Sequence, residues 1–185
     1  MTSLSGNVAA GVAKNIGVFS IPFQSSAREK IRGALAYQLI NAISPALGYY
    51  NQFKACFVEE TSFEQVAEYP SIQATWGVEV YDNRIDGGGS FGAYHKQATI
   101  DLRVFLSEAE PETLSSAIER VAADLEKFFA AHVQMKDSSG NPTCYSCILE
   151  SNTLDPSSIR LQPQVVDFSL SLFYRTSLTD PRQLL

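Results

Sequence analysis

Basic residues are scarce in this chain: 14 Lys and Arg stand against 20 Asp and Glu, leaving a formal charge of −6 and a sequence pI of about 4.9. A surface that grips nucleic acid phosphates is therefore not expected, because such binding scales with the phosphates that cationic side chains neutralise. An acidic protein can still surround a duplex, since like charge keeps DNA off the wall. Cysteines number three, and an odd count fits a reducing compartment better than a disulfide framework. With two histidines, acid and base chemistry would rest on carboxylates or a single imidazole. No apolar run approaches the length that crosses a bilayer, so no membrane partner is expected. No basic cluster precedes the first apolar residues, and Lys14 and Asn15 interrupt what would be a signal core, which makes cytoplasmic synthesis the expectation.

What is present suits an ordinary globular domain. The hydrophobic share is 45% and the charged share 18% of 185 residues, enough for one domain burying about 70% of its unfolded surface and against wholesale disorder. The clearest pattern runs from Ala98 to His132. Ile100, Leu102, Val104 and Leu106 alternate with Thr99, Asp101 and Arg103, which predicts a half-buried strand. Leu114, Ile118, Val121, Leu125, Phe128 and Phe129 then recur at threes and fours, predicting an amphipathic helix over Pro111–Ala131, with Glu110, Pro111 and Glu112 suited to its first turn. Folding this helix back over the sheet buries both apolar faces.

Elsewhere, Ser25 or Ser26 can cap a helix, with Glu29 completing a capping box after Ser26 and Ile31, Leu35, Leu39 and Ile43 repeating every four residues until Pro45. Ala55–Glu59 reads as a short strand, Ser62–Tyr69 as a turn or two of helix, and Ser71–Tyr81 as a long strand bent at Gly77, with Ile72, Ala74, Trp76, Val78 and Val80 in step. Asp82–Gly92 is a glycine-rich connection to an antiparallel partner over Tyr94–Leu106, the pair projecting a mobile finger. After a loop over Lys136–Pro142, strands are expected at Thr143–Glu150 and Gln164–Arg175. The fold class is α+β: a mostly antiparallel β-sheet carrying two amphipathic helices, a single domain over residues 25–176 with an N-terminal arm over 1–24 and a tail over 177–185. The arm is apolar and glycine-rich. It is either a poorly ordered terminus or a segment that orders against a neighbouring subunit, which would shelter Val8, Val12, Ile16, Phe19, Ile21 and Phe23.

Chemical motifs are thin. Gly87, Gly89 and Gly92 have the spacing of a dinucleotide loop but lead into a strand, whereas pyrophosphate needs a helix N-terminus behind the glycines. Cys144 and Cys147 are two residues apart, but zinc wants four ligands, the other candidates Cys56, His95 and His132 are scattered, and on a strand the two thiols would face opposite ways. Buried structural thiols are the expected account. Glu59 with Glu60, and Glu108 with Glu110, read as solvated pairs, and nothing assembles a nucleophile, a base and an orienting group. Neither an enzyme nor a cofactor is expected.

The order of elements carries a resemblance. The capped helix at Ala27-Arg28-Glu29-Lys30-Ile31, the strand entry Tyr69-Pro70-Ser71-Ile72, the hairpin into Ala98–Val104, the helix with Leu114, Ile118, Val121 and Leu125, and the closing strand Phe168–Arg175 resemble the tail terminator (tail completion) proteins of long-tailed bacteriophages over about residues 25–176. Head-to-tail neck proteins of the same viruses look related. The arm before Ser25 and the Met135–Pro142 loop depart from that layout. The resemblance implies a homo-oligomeric ring, usually of six subunits, in the tail-neck region of the virion and assembled in the host cytoplasm. Such a ring sits on the tail tube protein, ends tube growth and offers a surface to the neck or connector, with DNA passing through its channel without specific binding. It brings no catalytic, cofactor or metal residues. Contacts between chains or with the tube are expected from the arm and from the hairpin residues Arg84, Ile85, Asp86 and Phe91. The alternatives are a neck protein of the same particle and, from another class, a small-ligand or metal-binding enzyme.

Overall fold

The computed structural model describes residues 12–14, 26–61, 65–86, 92–107, 111–154 and 164–185. Its strands are β1 (Val12–Lys14), β2 (Ala55–Phe57), β3 (Ser71–Asp86), β4 (Ala93–Leu106), β5 (Ser146–Leu154) and β6 (Gln164–Ser177); its helices are α1 (Ala27–Ala42) and α2 (Pro111–Ala131). They form one sheet in the order β1-β2-β3-β4-β6-β5, antiparallel at every step except β2 to β3. The α+β class with a mostly antiparallel sheet and two helices is the class the sequence pattern implies.

Local chemistry explains the helix ends. Ser26 Oγ accepts the Glu29 amide at 3.2 Å while Glu29 Oε2 accepts the Ser26 amide at 2.6 Å, so two amide donors that the first helical turn cannot use are satisfied reciprocally. At the other end Ser44 and Pro45 turn the chain into a single 3-10 turn over Pro45–Leu47, closed by Gly48 at φ +80°, a backbone region that glycine occupies without strain.

Both helices pack on one face of the sheet. Ile31, Leu35 and Leu39 of α1 and Val121, Leu125 and Phe128 of α2 are fully buried against Ile72, Ala74, Ile100, Leu102, Leu170 and Leu172. At one end the opposite face is covered as well, where Phe57, Val66 and Tyr69 close over Phe105 and Val165. No helix among the described residues is long and apolar enough to cross a membrane.

Four expectations are corrected. Strand β3 runs on to Asp86, so Arg84–Asp86 belong to the sheet and not to a free connection. Strand β5 begins at Ser146, leaving Cys144 ahead of it. Of the short helix expected over Ser62–Tyr69, residues 66–69 are not helical, and 62–64 lie outside the described residues. The C-terminal residues, which carry little pattern, fold back: Ser177 N–H donates to Gln183 O at 3.0 Å and Leu185 N–H to Arg175 O at 3.1 Å, extending the sheet edge beyond the start of β5.

Candidate functional site

A one-residue irregularity in β3 organises the exposed part of the sheet. Trp76 sits opposite Ile100 and Glu79 opposite Ala98, so three steps along β3 answer two along β4. That is a β-bulge, and it inverts the facing of all that follows until the next irregularity. Glu79 turns to the helix side, while Val78 and Val80, expected in step with Ile72 and Ala74, become 70% and 57% exposed on the other face. Gly77 suits the crowding there: a Cβ on it would stand 3.2 Å from Thr99 O and 3.3 Å from Asp101 Oδ2.

The inverted Glu79 is the centre of a polar and aromatic cluster. Its side chain is 5% exposed and accepts hydrogen bonds at 2.8 Å from Arg28 Nε and from the Tyr174 hydroxyl. Lys96 Nζ approaches the other oxygen to 3.8 Å, near enough for charge attraction but too far for a hydrogen bond. Arg28 also lies 5.7 Å from the centre of the Trp76 ring, Lys96 lies 5.0 Å from that of Tyr81, and Trp76 meets Tyr174 edge to face. Burial works to raise the Glu79 carboxyl, but the bonds from Arg28, Tyr174 and Tyr81 and the Arg28 charge outweigh it and hold it below the ordinary range. Burial and the same carboxylate push the Tyr174 hydroxyl up. A carboxylate held ionised between two cations is a poor proton acceptor. What it does well is pin the start of α1 to β3, β4 and β6 at the root of the long hairpin.

A depressed carboxyl contributes stability above its unfolded value of about 4.3, and that contribution is lost as pH falls through the folded value. Glu79→Gln is accordingly expected to cost about 1–2 kcal/mol at pH 7. The gap from wild type should narrow steadily in thermal melts taken below about pH 4. A gap constant with pH would mean that folding leaves the Glu79 carboxyl unshifted.

On the helix-free face, Val78 and Val80 of β3 begin a belt of exposed apolar side chains that is interrupted by the polar, exposed Gln97 of β4. Phe173 of β6, Tyr145 beside it and the 50% exposed Ile148 of β5 continue it, with Arg175 lying 5.2 Å from the Tyr145 ring centre and His95 packed against that ring. Nearer the covered end the same face is polar, and Arg103 Nε pairs with Asp167 Oδ1 at 2.8 Å among Gln73, Thr75 and Asp101. The belt ends at β5, which among the described residues pairs with β6 alone; it carries no Lys or Pro, though Glu150 and a register shift between Leu149 and Ser151 partly blunt its edge. Between β5 and α2 lies a groove of about 560 Å3 lined by Phe129, Val133, Cys147, Ile148 and Leu149, with Glu126 and Glu150 contributing acid.

The sequence matches no protein-family model, and no curated protein matches it.

Of the residues expected to touch other chains, Val8, Ile16, Phe19, Ile21, Phe23 and Phe91 lie outside the described residues. Val12 stands opposite Phe57, so β1 pairs with this chain's own β2. Ile85 stands opposite Tyr94 and Asp86 opposite Ala93, with a second register shift between Asp82 and Ile85, and β6 flanks β4 as far as Ala93 opposite Ser177. Arg84–Asp86 are thus part of a paired stem, and β1 and this stem occupy separate regions of the sheet. Both histidines pack against aromatic rings: His132 stacks on Phe128 at 4.5 Å with Nδ1 2.9 Å from Phe128 O, and His95 faces Tyr145. Among the described residues no group of three His, Cys, Asp or Glu could hold a metal ion. Sequence reasoning missed Glu79 and the outward turn of Val78 and Val80, because both depend on a bulge whose one signal is Gly77.

Proposed function

We propose that this chain is a structural virion protein that forms a ring on the tail tube of a long-tailed phage, ends tube polymerisation and offers the surface for head joining. The observation that carries the reading is the apolar belt of Val78, Val80, Tyr145, Ile148 and Phe173, uncovered among the described residues, beside the edge strand β5. Large exposed apolar side chains beside an edge strand are a surface for another polypeptide. A cyclic ring needs two unlike patches on each subunit, and the two edges of this sheet, β1 on one side and β5 on the other, differ in length and sequence. The net charge of −6 suits a channel that DNA must cross without sticking. The element order supports the same reading through the resemblance to tail terminators.

Electron micrographs of the purified protein, alone and mixed with tail tubes, test this. Annular particles seated on tube ends are expected, and phage lacking the protein should make tails of uncontrolled length. Tails of normal length would favour the neck-protein reading, and a solitary monomer that ignores tubes would end both.

A further inference from the structure

The sheet ends in two unlike edges. Among the described residues β1 pairs with β2 alone on one side, and β5 pairs with β6 alone on the other. Beyond the start of β5 the flank of β6 is taken by the C-terminus, where Leu184 bridges to Thr176, so the free stretch on that side is β5 itself. Six consecutive residues, Ser146 to Ser151, form one wall of the groove whose other wall is Glu126 and Phe129 of α2 with Val133 just beyond it. At about 3.4 Å per residue that wall is roughly 20 Å long, room for one extended segment laid between an edge strand and a helix.

Charge selects the segment. The lining of the groove holds two acids, Glu126 and Glu150, and no Lys or Arg. Both acids are exposed, and Glu150 is the extra residue at the register shift between Leu149 and Ser151. Residues 1–24 hold a single charged side chain type, the Lys14 ammonium, and Lys14 belongs to β1. Two β5 edges brought together would crowd acid on acid, and two β1 edges base on base, whereas β1 against β5 brings opposite charges to one seam.

Resting on the ring reading above, we infer that the groove beside β5 receives the β1 strand of a second copy of this chain, so that the sheet of one subunit continues into the next with Lys14 set against Glu150 and Glu126. Main-chain hydrogen bonds between the two edges supply the attachment, and the charges fix which edges meet. Because the joined edges differ, the contact runs head to tail, and it repeats from subunit to subunit until the ring closes. β1 keeps its own pairing to β2 throughout, since only its outer side is used.

The full chain, mixed from isotope-labelled and unlabelled protein with tail tubes present, is treated with a zero-length carbodiimide cross-linker and mapped by mass spectrometry. An amide from Lys14 to Glu150 or Glu126 that joins a labelled to an unlabelled peptide is expected. Within one chain the two edges stand five strand spacings apart, about 24 Å, beyond the reach of such a linkage. Lys14→Glu and Glu150→Lys should each weaken association by about tenfold, and the double exchange should restore it. Circular dichroism confirms that each variant is folded, and the wild-type map stands without them. Rings that form with no linkage from Lys14 to the groove, or single exchanges that assemble as wild type does, would overturn the β1–β5 seam and leave the ring reading standing. A wild-type chain that stays monomeric beside tubes would end both.

Discussion

Replacing Leu125 by alanine is expected to lower the stability of the fold by about 3 kcal/mol, within the range of roughly 2–5 found for large-to-small changes at fully buried leucines. Leu125 has no exposed surface and lies on the same side of α2 as Val121 and Phe128, where the helix meets the sheet. Truncation removes apolar atoms from the core and leaves a cavity that a helix fixed along its length cannot close. In a domain of this size the loss corresponds to a fall in Tm of roughly 6–12 °C. Urea titrations should show a lower midpoint at unchanged slope, because the surface exposed on unfolding hardly alters. Glu126→Ala, one position further on an exposed part of the same helix, is the control and should stay within about 0.5 kcal/mol of wild type. A Leu125 effect no larger than the control would take that side chain out of the core.

The elements most legible in the sequence are those whose burial repeats on a fixed period. Helix α2 and strands β4 and β6 declare themselves by spacing, and α1 declares its start through Ser26 and Glu29. Strand β3 departs from its own period part-way along. Ile72, Ala74 and Trp76 keep the period, yet Val78 and Val80 break from it because the inserted residue depends on how β4 pairs alongside, which no local pattern encodes. Gly77 marked a bend there without revealing that the facing would invert. The consequence reaches the candidate site, since the Glu79 cluster and the β3 end of the apolar belt follow from that inversion. The start of β5 also departs from the pattern, at Ser146 instead of Thr143. Long-range polar ties were equally invisible, since Tyr174 and Arg28 meet Glu79 across 95 and 51 residues of chain.

Asp124 is the strongest such tie, and Asp124→Ala is expected to cost about 2–3 kcal/mol, nearly as much as the cavity at Leu125. It is a carboxylate on the buried side of α2, 2% exposed, where a sequence pattern expects an apolar residue. Its Oδ1 accepts the Tyr50 amide at 2.8 Å, and its Oδ2 accepts the Asn51 amide at 2.8 Å and Asn51 Nδ2 at 2.9 Å. Two main-chain donors in the loop after α1 thus depend on one side chain of α2, and Lys127 reinforces the attachment by donating to Gly48 O at 2.7 Å. Alanine leaves those donors partly buried without an acceptor, which is dearer than the bonds are worth while made. Asparagine is a poor rescue, because its NH2 group faces a donor wherever the second carboxylate oxygen stood, so it should recover less than half of the loss. Hydrogen exchange separates this cause from general destabilisation. In Asp124→Ala the Tyr50 and Asn51 amides should exchange faster, under strongly native conditions, by more than the global change requires. If those two amides stayed as slow as in wild type and stability were unchanged, water would be satisfying the loop as well as the carboxylate does.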